Sequence, residues 1–176
     1  RNNEIISEKS NETNIAIKNS YSQKIKNIKE LISFNGEILS SSPKVKELIK
    51  NRKREDLYNL SLPYFSLLKK VTSNQNIRIH YHLPNHKSFL RVHKKELFDD
   101  NLEYIRPMIS ETIFLEETLS GFEHGKHDIS QITYRKTFPI FNNENLLIAV
   151  LEIGIDFSKI IADIEKEFEK NDKKVY

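Results

Sequence analysis

A chain of 176 residues with 38% apolar side chains is long enough to bury one ordinary core. Its 28 basic and 25 acidic residues are interspersed, so the net charge of +3 gives no concentrated footprint for nucleic acid. The lack of cysteine excludes disulfides, thiolate catalysis and thiolate-bound zinc. The longest apolar run, Leu146 to Leu151, is far short of the ~20 residues of a membrane-spanning helix. A first residue other than Met and an uncapped helical pattern at the end, Glu165 to Lys170, read as a piece of a longer chain.

Tyr21, Ile25, Ile28, Ile32, Asn35 and Leu39 recur in steps of four and three, which predicts a long amphipathic helix with one narrow apolar stripe. Ile5, Ile6, Ile15 and Ile17 fit that seam poorly, and the first ~15 residues are expected either to fray or to pair only with a second copy or a membrane-proximal helix. Ser40 to Pro43 breaks the pattern, with Ser42 as N-cap and Pro43 opening a short helix to about Asn51. A third helix follows from near Arg54, with Leu57, Leu60, Tyr64, Leu67 or Leu68, and Val71 on its stripe and Pro63 expected to kink or divide it. Ser73 to Asn76 closes the helical region.

Two alternating runs around Pro84-Asn85, Arg78 to Leu83 and Ser88 to His93, predict a β-hairpin. With a loop of Pro84 to Lys87, Leu83 lies opposite Ser88, so His82 faces Phe89 and His80 faces Arg91 on one surface. Ile79, Tyr81, Leu83, Leu90 and Val92 form the other, which should pack on the helices. His86 and His93 are expected at the surface. Asp99-Asp100 reads as a helix cap before a helix-like stretch, Leu102 to Ile109, interrupted by Pro107. Gly121 to Gly125 is a short strand or tight turn. Strands are expected at Gln131 to Phe141 and Leu146 to Ile153, the second buried on both faces and ended by Gly154, and Asp156 is expected to cap a last helix carrying Ile160, Ile161, Ile164 and Phe168.

The histidine-bearing face needs a cover, and the only segment left to supply it is Leu102 to Gly125. Burying His80, His82 and Arg91 there without an anion would cost several kcal/mol. A small anionic or carbonyl-bearing ligand repairs this: Arg91 grips a carboxylate, Ser88 or Tyr134 donates to a second oxygen, His80 and His82 donate, and Arg106 closes the clamp. Arg91 and Arg135 have an equally open structural alternative, internal pairing with Glu123 or Glu152. His80, His82, His124 and His127 lack a recognisable ligand spacing, so no metal or cofactor is expected. The chain also has no phosphate loop or nucleophile elbow, and Ser88 lies inside a strand, so an enzyme is not expected.

Five motifs carry a resemblance: His80-Tyr81-His82-Leu83-Pro84, Ser88 to His93, Asp99-Asp100 through Ile105-Arg106-Pro107-Met108, Gly121-Phe122-Glu123, and Tyr134-Arg135 leading into Phe138-Pro139-Ile140-Phe141. Over residues 55 to 156 the chain resembles the third group of Cache sensor domains, PAS-like domains of bacterial chemoreceptors, sensor histidine kinases and diguanylate cyclases. It departs from that pattern where Pro84 to Lys87 lacks the common turn glycine and Phe98 replaces a glycine before the paired aspartates. The resemblance implies an α+β fold, with a long N-terminal helix packed on a five-stranded antiparallel PAS-like sheet and a C-terminal helix leading back to the membrane. Residues 1–53 would be a membrane-proximal stalk, 54–156 the ligand-binding domain and 157–176 a signalling helix. It further implies a periplasmic sensor in a membrane-anchored, homodimeric receptor, binding a small anionic ligand at His80, His82, Ser88, Arg91, Arg106, Glu123, Tyr134 and Arg135. A periplasmic protein-binding or dimerisation module without a small ligand is the alternative.

Overall fold

The computed structural model describes residues 2–72, 76–124 and 131–172; Ser73 to Gln75, Gly125 and His127 lie outside them. Helix α1 spans Asn2–Ser41, α2 Pro43–Lys50 and α3 Arg54–Thr72. Strands β1 (Ile77–His82) and β2 (Ser88–Arg91) are followed by α4 (Pro107–Leu115), β3 (Leu119–His124), β4 (Ile132–Phe141), β5 (Leu147–Asp156) and α5 (Ser158–Asp172). The result is α+β with one antiparallel sheet in the order β2-β1-β5-β4-β3, the PAS-like arrangement anticipated. Two compact units divide the chain, residues 31–156 and the pair 1–30 with 157–176. In the second unit the Asn171 side chain donates to the Ser10 carbonyl at 3.2 Å and to Asn14 Oδ1 at 2.7 Å, joining α5 to the first part of α1.

The α1 seam is as the spacing predicts: Ile32, Asn35 and Leu39 are buried. Of the two expectations for its start, fraying and pairing with another helix, the first is not seen, since the helix is continuous from Asn2. Ser42 caps α2 through Val45 N at 3.4 Å, with Pro43 in the first turn. Helix α3 neither breaks nor divides at Pro63, and its buried line runs through Leu57, Ser61, Leu68 and Thr72, leaving Leu67 and Val71 exposed.

Residues paired across antiparallel strands share a face, so the ladders fix the two surfaces of the sheet. Ile77, Ile79 and Tyr81 pair with Ile155, Ile153 and Leu151, and Phe138 and Ile140 pair with Leu151 and Ala149, giving an apolar face. Helix α3 meets it through a buried Ser61–Tyr81 hydroxyl contact at 2.9 Å. Helix α1 comes so close at Gly36 that a Cβ there would overlap the Phe138 ring. Gly36→Ala is therefore expected to destabilise the domain by about 1–3 kcal/mol in urea unfolding, although Ala is the better helix former by ~1 kcal/mol; a stabilised variant would contradict this packing. The other face is polar over most of its length, with Val150 and Pro139 toward one end, and α4 covers part of it.

Candidate functional site

Period-two alternation places Arg78, His80 and His82 of β1 on the polar face, opposite Gly154, Glu152 and Val150 of β5. On β4 the same face carries Thr133, Arg135 and Thr137, paired with Asp156, Gly154 and Glu152. Gly121 and Glu123 of β3 pair with Arg135 and Thr133 and complete it. Arginine, histidine and carboxylate side chains thus lie where a protein interior would ordinarily be apolar, and each requires a partner.

Arg135 is the centre of this network and is fully buried. Its Nη1 donates to Glu152 Oε1 and its Nε lies 2.8 Å from Glu123 Oε2, while Nη2 has no hydrogen-bond partner. Glu123 also accepts from the Met108 backbone N–H at 3.4 Å, tying β3 to the start of α4. A second tie joins α4 to the sheet, the buried Thr112–Thr137 hydroxyl contact at 2.6 Å. Burial by itself would raise the Glu152 carboxyl, but Arg135, with His82 and Arg106, holds it well below the ordinary carboxylate range. Of the two roles open to Arg135 in the sequence, the structure displays internal pairing.

The histidines are packed together. The rings of His80 and His82 are 3.7 Å apart between centroids, and His80 Nε2 meets the Ser88 hydroxyl at 2.7 Å. His82 Nε2 makes a long 3.6 Å contact with Glu152 Oε2, and among the described residues neither ring nitrogen of His82 has a closer hydrogen-bond partner. Burial lowers both histidines, His80 well below its usual value, so the neutral form is held at neutral pH. His93, expected at the surface, is half-buried 6.5 Å from His80, and burial together with Arg78 pushes it down to about 4.

The hairpin register agrees with the expected one at His80–Arg91, but a bulge between Tyr81 and His82 pairs His82 with Ser88 rather than Phe89. A bulge inserts one residue into one strand and turns its neighbours. Phe89 consequently packs 5.7 Å from the Arg52 guanidinium and leaves the histidine face, while Ser88 joins it. In the hairpin turn that lacks a glycine, His86 adopts the left-handed backbone with φ of 63°, and Asp99, next to Phe98, does so with φ of 67°.

Arg91 is committed elsewhere. Nη1 and Nη2 form a two-pronged bond to Asp100, each at 2.7 Å, and Nη1 also donates to the Leu97 carbonyl at 2.8 Å. Asp100 therefore anchors a loop rather than capping a helix, and Asp99 pairs with Lys87 at 3.0 Å. Arg91→Ala is expected to cost about 1 kcal/mol in urea unfolding through loss of this tether; unchanged stability would argue against it. Tyr134 is not brought into the site, because it alternates with Arg135 and lies against Phe122 on the apolar side. The expected helix across Leu102 to Ile109 instead begins at Pro107, whose fixed φ suits a first helical position.

Arg106 immediately precedes α4 and is half-buried within electrostatic reach of Glu152, Arg135, Glu123 and Arg78. Arg78 is in a matching position near Arg135, Glu152 and Asp156. Neither guanidinium has an ion pair among the described residues. Burial is the largest cause weakening the hold of both on their protons; Arg135 adds to it at each, and Glu152 opposes it, at Arg106 as the second-largest influence. Sequence reasoning named Arg106 but missed Arg78 and the site role of Glu152. Both were visible in principle, Arg78 as the next residue in step with His80 and His82, and Glu152 as the single charge in the expected strand Leu146 to Ile153; β5 in fact continues through Gly154, so Asp156 closes the strand rather than capping α5.

The fold is shared with solved sensor domains at low sequence identity. The sensor domain of the V. cholerae histidine kinase DctB is 13% identical with a TM-score of 0.63, over 92% of this chain and 60% of that one. The E. coli DcuS sensor domain is 9% identical with a TM-score of 0.56, over 84% of this chain and 98% of that one. This chain thus spans about 60% of the DctB sensor domain. A comparison with curated proteins gave no match. A family model for the double sensory domain of two-component sensor kinases matches residues 10–171, well over half of the sequence. The chain belongs to this family of sensory domains, dCache_3.

Proposed function

We propose that the polar face of the sheet, under α4, binds a small carboxylate-bearing metabolite, and that the domain senses it outside the cytoplasm as part of a membrane-anchored, dimeric receptor. The observation that carries this reading is the pair Arg78 and Arg106, two half-buried guanidinium groups without ion pairs among the described residues, beside Nη2 of Arg135 and the ring of His82, whose nitrogens have no close hydrogen-bond partner there. Donors in such surplus are matched by an anion with several acceptor oxygens. Arg106 and Arg78 grip the carboxylate, His80, His82 and Ser88 contribute hydrogen bonds, and Glu123, Glu152 and Arg135 frame the site. Arg91 holds the adjoining loop.

The bulky residues that could have filled this face do not: Phe89 packs on Arg52 and Phe122 is half-exposed beside Tyr134. That favours a ligand pocket over a protein-docking module. Binding transfers no bond; it shifts a population. Closure of α4 on the ligand acts through the Thr112–Thr137 and Met108–Glu123 ties on β4 and β3, and β4 pairs with β5, which leads through Phe157 into α5. From there the signal passes along the terminal helices to a cytoplasmic output module. A thermal-shift screen of the domain against small carboxylic acids and amino acids is expected to give a rise of several degrees for at least one compound. A folded domain unmoved by all of them would count against the proposal.

A further inference from the structure

The donor surplus around Arg78 and Arg106 is matched by a separate group of acceptors. One ring nitrogen each of His80 and His82 and one carboxylate oxygen of Glu152 lie within 4.8 Å of one another, and all three residues are buried. Arg135 takes up Glu152 Oε1, which leaves Oε2 with only a long 3.6 Å contact to His82 Nε2. Burial keeps both histidines neutral, so each has a ring nitrogen that accepts, and Glu152 is ionised. Three acceptors around one point call for a donor or a cation.

Two considerations select the kind of cation. The first is charge. Arg78, Arg106 and Arg135 face Glu123, Glu152 and Asp156, so this network is formally balanced before anything binds. A simple carboxylate would leave it with one uncompensated buried negative charge, and a divalent metal ion would add two positive charges beside Arg135 and Arg106, with only one carboxylate, already shared, to offset them. A ligand bearing one charge of each sign leaves the balance unchanged. The second is spacing. Acceptors around a tetrahedral ammonium at hydrogen-bond distance sit up to about 4.7 Å apart, which the trio accommodates.

We infer that the ligand is a zwitterion of the amino-acid class, with its protonated amine in the His80–His82–Glu152 trio and its carboxylate against Arg106 and Arg78. This rests on the carboxylate reading above and adds the amine to it.

The test is calorimetric titration of the domain with amino acids and their deaminated counterparts, for example glycine and acetate, β-alanine and propionate, glutamate and glutarate, with zinc chloride as a separate titrant. At least one amino acid is expected to bind about 100-fold more tightly than its deaminated partner, because a site built to bond an amine leaves its acceptors unpaired without one. Glu152→Gln is expected to cut that ratio by about 10-fold or more. His82→Leu removes an acceptor while keeping the volume and leaving Arg135 paired, and it carries the same expectation if Glu152→Gln does not fold. Equal or tighter binding of a deaminated acid would overturn the amine assignment and leave the carboxylate reading standing. Zinc binding abolished by His82→Leu would assign the trio to a metal instead. Absence of binding by every compound would overturn both readings.

Discussion

Replacing Arg135 with Leu is expected to lower the thermal unfolding midpoint by roughly 10 °C. Arg135 is fully buried and is the guanidinium partner of both Glu123 and Glu152. Without it, Glu152 must either keep a buried, uncompensated charge or take a proton, and removing one member of a buried pair typically costs about 3–5 kcal/mol. In a domain of this size each kcal/mol moves the midpoint by about 2–4 °C. An exposed pair such as Lys44–Glu47 is a natural control, since removing it should change stability by less than ~1 kcal/mol. Replacing Arg135, Glu123 and Glu152 together by apolar residues should recover much of the loss. Such recovery would separate the cost of an orphaned charge from the worth of the network. A single variant as stable as wild type would contradict the burial and pairing described for Arg135.

The second large effect is a loss of stability on mild acidification. His80, His82 and His93 all have folded-state values below that of an unfolded histidine, about 6.5, with His93 at about 4. Between about pH 6.5 and pH 4 the unfolded chain therefore binds more protons than the folded one. Stability rises with pH in that window and falls as pH drops through it, by up to ~1.4 kcal/mol per pH unit for each histidine involved. Arg78, Arg91 and Arg106 around the rings oppose protonation, and Glu152 favours it, but burial is the largest cause at each ring. Glu152, itself held well below the carboxylate range, extends the loss below about pH 4.5. Urea midpoints at pH 7.5, 6.5, 5.5 and 4.5 should be level between the first two and then fall progressively. A flat profile to pH 5 would mean that these rings are hydrated or protonated in the folded state.

Local periodicity carried much of this architecture. The steps of three and four from Tyr21 to Leu39 put Ile32, Asn35 and Leu39 in the core, and Ser42-Pro43 marked the start of α2. Alternation in β1 and β2 gave the two faces of the hairpin and the His80–Arg91 pairing. It could not give the bulge, because an inserted residue changes register through geometry rather than composition, and that one residue moved Phe89 away from His82 and Ser88 toward His80. Partner choice among charges was also out of reach. Arg91 and Arg135 had the same candidate carboxylates in sequence, and only strand order assigns Glu152 and Glu123 to Arg135 while the loop after β2 brings Asp100 to Arg91. Pro107 was read as an interruption because proline terminates as well as initiates helices, and here it initiates one.

The account turns on whether Arg106 meets a ligand carboxylate over the polar face. Isothermal titration of the wild-type domain and of Arg106→Ala with the same stabilising compound tests this most directly. Arg106 has no ion pair among the described residues and sits at the start of α4, so its removal should leave the fold intact. Saturable binding by the wild type, weakened about 30-fold or more in the variant at unchanged unfolding midpoint, is the expected result, as for loss of a charged hydrogen bond. Equal affinity in the two proteins would contradict it.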